Sequence, residues 1–271
     1  MAFKRRAVIA ATVVALGTGG AVAFALAGSQ ESNQGQRLPI QDYLLDSRQH
    51  DEVTEAYERL VQTCMRRHGV AGFTQPHGRQ SQLGLLDRRY GLSDLAEARR
   101  YGYGLPPDKV SVPPAPPKLT AAQRALYSGS GTKDKGPSGC VGEALRDLGG
   151  ASRPWNSPLA TKLQLTSWKE SGKDARVVAA TRKWSACMNR YGYHFANPMD
   201  TPGRAKLTKD AEKALAVKEI ECNRSSGFAR AWFTAEAAYQ KTLIERDKSA
   251  LDHERTEALR SRDTAHSVLR D

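Results

Sequence analysis

Two stretches of the chain carry apolar residues at the spacing of an amphipathic helix, and each stripe contains a cysteine. The first runs from Val53 to Cys64, with apolar residues at i, i+4, i+7, i+8 and i+11. The second, from Val177 to Met188, forms a similar stripe. Gly69 and Gly192 follow where a left-handed C-terminal cap is expected. The pattern predicts two helices, each with its cysteine in the last buried turn.

The residues around these cysteines share one motif: C-M-x-R-[HY]-G, a spacer of two or three residues, and then F-x-[QN]-P. It covers Cys64–Pro76 in the first copy and Cys187–Pro198 in the second, and eight positions match in type. The chain is expected to leave each helix as an extended segment, with Phe73 or Phe195 against the helix. Agreement of this kind in a short chain indicates an internal duplication.

A further helical pattern occupies the C-terminal region, where no proline occurs between residues 208 and 268. Apolar residues from Phe228 to Leu243 form one helical stripe. Ser225–Gly227 is expected to kink or break this helix. Beyond Asp247 the pattern is charged on nearly all sides. That last part is expected either to stand in solvent or to meet a partner.

These patterns predict a mostly α fold: duplicated, disulfide-stapled helix–loop–helix units with a long C-terminal helix, preceded by a signal or anchor segment. Residues 1–27 are interpreted as a signal peptide or N-terminal membrane anchor, and residues 28–49 as a polar linker. Residues 50–150 form the first helical half, which contains an insertion rich in tyrosine, glycine and proline. Residues 151–271 form the second half with the long C-terminal helix.

The N-terminal segment decides the compartment. Lys4, Arg5 and Arg6 precede an uncharged run over residues 7–27, which ends in an A-x-A site before Gly28. The A-x-A site favours cleavage and secretion, whereas the length of the run reaches the roughly 20 residues that a membrane anchor needs. Both interpretations stay open. Both place the rest of the chain outside the cytoplasm, because the cations hold the N-terminus inside.

Composition limits the class of function. Only 7% of the 271 residues are aromatic and the mean hydropathy is −0.57, which argues against a polytopic membrane protein and against a large aromatic core. Removing the three N-terminal cations from the net charge of +12 leaves +9 for the exported part. Such a surface attracts polyanions, which outside a bacterial cell are wall polymers and lipid headgroups rather than nucleic acid. The alternative is that the excess cations only solvate helix faces.

All four cysteines lie in the exported part. An even number in an oxidising compartment predicts two disulfides, for which three pairings are open. We favour Cys64–Cys140 with Cys187–Cys222, because each bond would close one half on itself. The rival, Cys64–Cys187 with Cys140–Cys222, would join the halves. No C-x-x-C spacing supports a metal site, so neither a metal nor a cofactor is expected.

The insertion repeats a motif of basic and aromatic residues. Arg88–Gly91 reads R-R-Y-G, and Arg99–Gly102 repeats it at the end of a short helix expected over Asp94–Tyr101, with Ser93 as its cap. Arginine pairs with acidic groups and tyrosine stacks, so these residues are candidates for polyanion binding. The candidates are Arg88, Arg89, Tyr90, Arg99, Arg100 and Tyr101. The alternative is that Tyr90, Tyr101 and Tyr103 pack the insertion onto the core.

No catalytic constellation stands out. The six histidines include no H-E-x-x-H pair, and the chain has no G-x-S-x-G elbow.

The run from Cys187 to Cys222 and the stretch from Arg89 to Tyr103 resemble a group of uncharacterised exported proteins of actinomycetes. That resemblance implies an envelope location and a helical body with two disulfides, and it implies no catalytic residues.

The expected function is non-enzymatic binding or scaffolding at the outer face of the bacterial cell envelope. The partner would be an envelope protein or an anionic wall polymer, with membrane association through residues 7–27 if they are not cleaved. Two alternatives stay open: a cell-wall-active hydrolase, and an anionic wall-polymer binder that uses the Arg/Tyr-rich insertion. A deep cleft with two facing carboxylates would favour the hydrolase, and a shallow apolar groove would favour a partner-binding protein.

Overall fold

The computed structural model describes residues 36–76, 83–112, 115, 117–129, 138–150, 153–200 and 207–270. Within these ranges the chain forms eight α-helices: α1 (Ser47–Arg67), α2 (Leu95–Tyr101), α3 (Ala121–Ser128), α4 (Gly139–Asp147), α5 (Pro158–Ser171), α6 (Ala175–Arg190), α7 (Lys209–Ser226) and α8 (Phe228–Arg270). Short 3₁₀ turns lie at Pro39–Tyr43, Pro107–Lys109, Pro154–Asn156 and Pro198–Asp200. The mostly helical fold is therefore confirmed.

The predicted signal or anchor segment, residues 1–27, lies outside the described residues. Among the helices that are described, none combines the length and the apolar character that crossing a bilayer requires.

Side-chain caps set where the helices begin. Asp46 precedes α1 and accepts a hydrogen bond from the Gln49 N–H at 2.8 Å, while the Gln49 side chain accepts from the Asp46 N–H at 3.0 Å. α2 begins one residue later than predicted, because Asp94 rather than Ser93 is the cap. The Asp94 carboxylate accepts from the Glu97 N–H at 2.8 Å.

α1 and α6 end in the same way. Gly69 and Gly192 adopt φ values of +86° and +80°, which glycine reaches without the steric cost of a Cβ atom. The residue after each glycine donates its N–H to a methionine carbonyl: Val70 to Met65 at 3.0 Å, and Tyr193 to Met188 at 3.1 Å. The predicted left-handed caps are thus confirmed. Phe73 and Phe195 follow, and both are buried as expected.

Two disulfides connect neighbouring helices. Cys64–Cys140 joins α1 to α4, and Cys187–Cys222 joins α6 to α7. The favoured pairing is confirmed, and the rival pairing between the halves is wrong. Each bond lies in an apolar cluster that also contains the methionine after its first cysteine and the phenylalanine of its motif. Disulfides of this kind are consistent with a location outside the cytoplasm.

α8 is the longest helix, and its backbone leaves the helical region at Asp247 (φ −105°, ψ 17°). Before this point it packs against α5 and α6 in the largest apolar cluster. Beyond it, Leu251, Ala258 and Ala265 are buried, and Ala265 packs with residues of α1. This corrects the expectation that the charged part stands in solvent or meets an outside partner. Small residues form a narrow buried face on this part of α8, and the surrounding charged residues make that face hard to recognise in the sequence.

The predicted polar linker, residues 28–49, differs from the structure in its described part, residues 36–49. Leu38 and Ile40 are almost completely buried in the cluster that contains α8 residues. The Ile40 N–H donates to the side-chain oxygen of Gln240 at 3.0 Å. α1 already begins at Ser47. This segment is therefore part of the packed body, because its few apolar residues find a place in the core.

Residues 32–271 form one compact unit by their contacts. The two halves that the sequence separates at residue 150 share α8, which contacts α1 in the first half and both α5 and α6 in the second. The halves are therefore two disulfide-closed sections of one body.

Candidate functional site

Arg89 and Tyr90, two of the six polyanion-binding candidates, face the interior. The Arg89 guanidinium donates to both carboxylate oxygens of Glu236, at 2.9 and 2.5 Å, and its side chain is only 8% exposed. The Tyr90 hydroxyl donates to the same carboxylate at 2.7 Å. Burial, together with the Glu236 charge, raises the pKa of Tyr90 far above its ordinary value. Neither side chain is available to a polymer outside.

The Glu236 cluster, which we define as Arg89, Tyr90, Ser167, Glu236 and Gln240, is fully hydrogen-bonded. Glu236 has no exposed surface, and it also accepts from the Ser167 hydroxyl at 3.0 Å and the Gln240 amide at 2.9 Å. Five donated hydrogen bonds thus reach its two oxygens, which saturates their lone pairs. The carboxylate has nothing left for a substrate, so the cluster is a structural anchor for the insertion.

A second buried carboxylate, Glu219 of α7, holds the other end of the insertion. Glu219 is 1% exposed and accepts from the Tyr103 hydroxyl at 2.5 Å. Arg88 donates to the carbonyls of Tyr103 and Gly104 at 2.5 and 2.8 Å, which ties the two R-R-Y-G copies together. The first copy of the motif therefore packs the insertion onto the core, as the alternative interpretation predicts.

The second copy of the motif lies at the surface. Arg99 and Arg100 are exposed on α2, and Tyr101 is half-buried with the Arg100 guanidinium 5.2 Å from its ring centre. The six candidates therefore do not form one surface. This corrects their interpretation as a single polyanion site. The cause is that the first copy lies in a turn buried against α5 and α8, whereas the second lies on the outer side of α2.

Arg99 lines a surface groove together with residues that were not predicted from the sequence to form a binding site. This basic groove, as we name it, lies between α2, the turn after α6, and α7. It is open to solvent and holds about 430 Å³, a volume within the range of small-ligand sites, roughly 300–1,000 Å³. It is lined by three cations, two tyrosines and apolar side chains, chiefly Arg99, Lys213, Lys218, Tyr191, Tyr193 and Val217.

The walls of the basic groove are held by buried contacts. The Cys187–Cys222 disulfide joins the helix that precedes the two tyrosines to the helix that carries the two lysines. Ala98 of α2 packs with Ala216 of α7 in one apolar cluster, which places the neighbouring Arg99 at the groove. The groove is therefore formed by the folded chain before any ligand binds.

Each of the two tyrosine rings has a contact with another side chain of the protein. The Lys218 ammonium lies 4.5 Å from the ring centre of Tyr191, within cation–π distance. Tyr193 stacks parallel to buried Phe195 with ring centres 6.3 Å apart. Lys218 also donates to Glu221 at 2.8 Å, and this hydrogen bond raises the pKa of Lys218. The lysine therefore keeps its charge at neutral pH.

The described lining of the basic groove consists of cations, tyrosines and small aliphatic side chains. The ion pairs on and near α2 and α7 are Lys109–Glu97, Lys209–Glu212 and Lys218–Glu221. Within the described part of the chain, Arg99 and Lys213 form no ion pair. The described lining contains no carboxylate, histidine or thiol, and no group of residues in the described ranges could hold a metal ion.

One sequence signal points to the groove tyrosines. Tyr191–Tyr193 reads Y-G-Y, as Tyr101–Tyr103 does in the insertion. Lys213 and Lys218 have no comparable signal, because charged residues along a helix are typical of any solvated face. The groove joins segments far apart in the chain, so only the fold brings them together.

No protein family, curated protein or solved structure matches the chain. The resemblance to exported actinomycete proteins therefore stays a prediction. The function is inferred from the chemistry of the basic groove, the two disulfides and the N-terminal sequence.

Proposed function

We propose that the protein is a non-enzymatic binding protein at the outer face of the bacterial cell envelope, and that the basic groove binds an anionic component there. One observation carries this proposal. The groove combines two tyrosine rings with Arg99 and Lys213, which make no ion pair with any described residue. Cations that form no ion pair with the described residues and line a concave surface favour an anionic ligand from outside.

Export is the second part of the proposal. All four cysteines are paired, which is typical of proteins outside the cytoplasm. We infer that residues 1–27 direct export, as a cleaved signal peptide or as a retained anchor. The exported part, with its formal charge of +9, then meets the anionic polymers of the wall.

We also propose that the two disulfide-closed sections arose by duplication. The shared motif, the shared glycine cap and the position of one disulfide in each section support it. The copies differ at the groove. Tyr191 and Tyr193 occupy the positions of His68 and Val70 in the first copy. The groove tyrosines thus belong to the second copy, whereas Arg99 comes from the insertion of the first half.

The hydrolase alternative has less support. The two buried carboxylates, Glu219 and Glu236, accept hydrogen bonds from insertion residues and anchor that segment. A general acid or base needs contact with the substrate, and neither carboxylate lines the groove.

A scaffold role without a small-ligand site is the remaining alternative, and the experiment below separates it from polyanion binding.

Retention on isolated cell walls tests the proposal. The wild-type protein should bind at about 0.1 M NaCl and be released toward about 1 M, because the Debye length falls from about 10 Å to about 3 Å. Replacing the groove cations Arg99, Lys213 and Lys218 with alanine should weaken retention about tenfold or more, since each pair is worth up to about 1 kcal/mol.

The control variant replaces three exposed cations outside the groove, Arg48, Lys162 and Lys241, with alanine. It has the same net charge as the groove variant and should be retained like the wild type. Two results would contradict binding at the groove: wall retention that does not change with NaCl concentration, or an equal loss of retention in both variants.

A further inference from the structure

The basic groove presents two kinds of contact that a simple anion does not satisfy together. Its tyrosine rings offer apolar faces for packing, and its cations can form ion pairs with negatively charged groups. We infer that the ligand is an acidic glycan, a sugar chain whose rings pack on Tyr191 and Tyr193 and whose phosphate or carboxylate groups pair with Arg99 and Lys213. This inference rests on the proposed function and names its ligand class.

The tyrosines supply the contact for sugar rings. Tyr191 is 46% exposed although the Lys218 ammonium covers part of its ring. Tyr193 stacks on Phe195 and is partly buried. Each ring therefore has one contact within the protein while it lines the groove, which reduces the conformational freedom lost when a ligand binds. The C–H face of a pyranose packs on an aromatic ring, and its hydroxyl groups stay in water.

Arg99 and Lys213 supply the contact for anionic groups. Glu212 of α7 is already engaged by Lys209 at 2.9 Å and by the Tyr103 N–H at 3.1 Å. These hydrogen bonds lower the pKa of Glu212, and the nearby Lys213 charge contributes to the same shift. The planar Arg99 guanidinium can bind two oxygens of one carboxylate or phosphate, while Lys213 acts as a point charge. A neutral sugar would form no ion pair with either cation, and inorganic phosphate would make no contact with the faces of the rings.

An anionic lipid is the competing source of negative charge. Its headgroup would pair with the same cations, but its acyl chains would need an apolar surface beside them. The aliphatic side chains of the groove are the short Ala214 and Val217, and the charged walls surround them. The apolar surface is thus large enough for ring faces and too small for an acyl chain, which favours the glycan.

Calorimetric titration of the full chain with three four-unit probes tests the ligand class. Tetragalacturonate carries both rings and charges, tetrapolyphosphate carries charges alone, and maltotetraose carries rings alone. Tetragalacturonate should bind at least about tenfold more tightly than either of the others, because only it uses both kinds of contact. Vesicles of phosphatidylglycerol provide the lipid arm and should not compete with tetragalacturonate.

Tyrosine variants test the ring contact separately. Tyr191→Ala and Tyr193→Ala should each weaken tetragalacturonate binding about threefold to tenfold and leave tetrapolyphosphate binding unchanged. The control is Tyr239→Ala, a tyrosine of similar exposure (38%) on α8 that does not line the groove; it should bind both probes like the wild type. Circular dichroism of each variant verifies that the helices are retained.

The outcomes separate this inference from the proposed function. Equal affinity for tetragalacturonate and tetrapolyphosphate with no effect of the tyrosine variants would overturn the glycan, while salt-dependent wall retention through the groove could still hold. Binding of maltotetraose as tight as that of tetragalacturonate, competition by the vesicles, or no binding of tetragalacturonate would overturn it as well. Wall retention that is independent of salt and of the groove cations would overturn the proposed function itself.

Discussion

Arg89 and Glu236 form an ion pair almost without contact with water, since their side chains are 8% and 0% exposed. Such a pair is stable only while both partners are present, because either charge alone would be buried without a counter-charge. Tyr90 and Ser167 complete the hydrogen bonding of the carboxylate. The attachment of the insertion to the body therefore depends on a few side chains that can be tested one at a time.

Arg89→Met should lower the free energy of unfolding by about 3–5 kcal/mol, because the Glu236 carboxylate stays buried without its counter-charge. Adding Glu236→Gln to this variant should recover part of the loss. Urea denaturation followed by circular dichroism measures both. The exposed pair Lys248–Asp252 is the control, and Lys248→Met should cost less than about 1 kcal/mol. An equal loss of unfolding free energy at the two pairs would show that the burial of Glu236 does not determine the cost of losing its partner.

The cap of α6 makes a contribution that depends on pH. Hydrogen bonds from the Arg176 side chain and N–H hold the pKa of Asp174 at about 2, below its ordinary value of 3.8. The native state thus binds this proton more weakly than the unfolded chain does, so the cap stabilises the fold above the ordinary pKa and loses this effect as the pH falls toward about 2. Asp174→Ala should therefore cost about 0.5–2 kcal/mol near neutral pH and less in acid.

Thr208→Ala is the matched control for this cap. Thr208 precedes α7 and accepts from the Ala211 N–H at 3.3 Å, but it carries no charge. Its cost, measured by denaturant unfolding, should be the same near neutral pH and near pH 2. An Asp174→Ala cost that does not shrink in acid would show that the charge of the cap is not stabilising.

At the scale of the helices, local patterns predict the fold well and most contacts between distant segments are not predictable. The stripes and the glycine caps depend on neighbours in sequence, and the structure confirms them. The disulfide pairing, which spans 76 and 35 residues, is a distant contact that the two motif copies allowed us to predict. The groove depends on α2 meeting α7, and on small residues such as Ala98 and Ala216 that carry no recognisable pattern. The inward direction of Arg89 likewise depends on Glu236, far along the chain.

Gly69→Ala and Gly192→Ala should each destabilise the protein by about 1–2 kcal/mol, because both positions have left-handed backbone that a Cβ atom disfavours. Similar costs at the two sites would agree with their equivalence in the two sections. Gly72→Ala is the control, since its backbone is not left-handed and nothing lies within 4 Å of the added Cβ atom. Thermal unfolding measures all three, and a cost at Gly72 as large as at Gly69 would contradict the explanation.

The two disulfides should differ in their effect on binding. In the chain-entropy model, loss of either bond costs about 4 kcal/mol or slightly more, for loops that span 76 and 35 residues. Replacing Cys187 and Cys222 with serine should abolish tetragalacturonate binding, because this bond joins two walls of the groove. Replacing Cys64 and Cys140 should preserve binding, because that bond lies in a separate cluster.

Circular dichroism first identifies a temperature at which both disulfide variants keep their helices, and calorimetry is then done there. Equal loss of binding in the two variants would contradict a specific role for Cys187–Cys222. Equal retention would show that contacts between α6 and α7 hold the groove without the bond.

For the whole molecule, the composition indicates which kind of molecule surrounds the protein, and the fold indicates which part of its surface binds that molecule. A charge of +9 on the exported part predicts polyanions as neighbours, but it does not show which cations serve them. Many lie in ion pairs on the helix faces, as Lys173 and Arg260 do. The body gathers three cations and two tyrosines in one groove, and the shared helix α8 makes the two sections one unit.

Photo-crosslinking in intact cells tests the central claim most directly. A benzophenone side chain in place of Val217, inside the groove, should capture material that releases acidic sugars on hydrolysis. The same side chain in place of Val178, which is 37% exposed on α6 and outside the groove, should capture much less. Equal capture at both positions, or capture of lipid or protein at residue 217, would contradict a groove that binds an acidic glycan outside the cell.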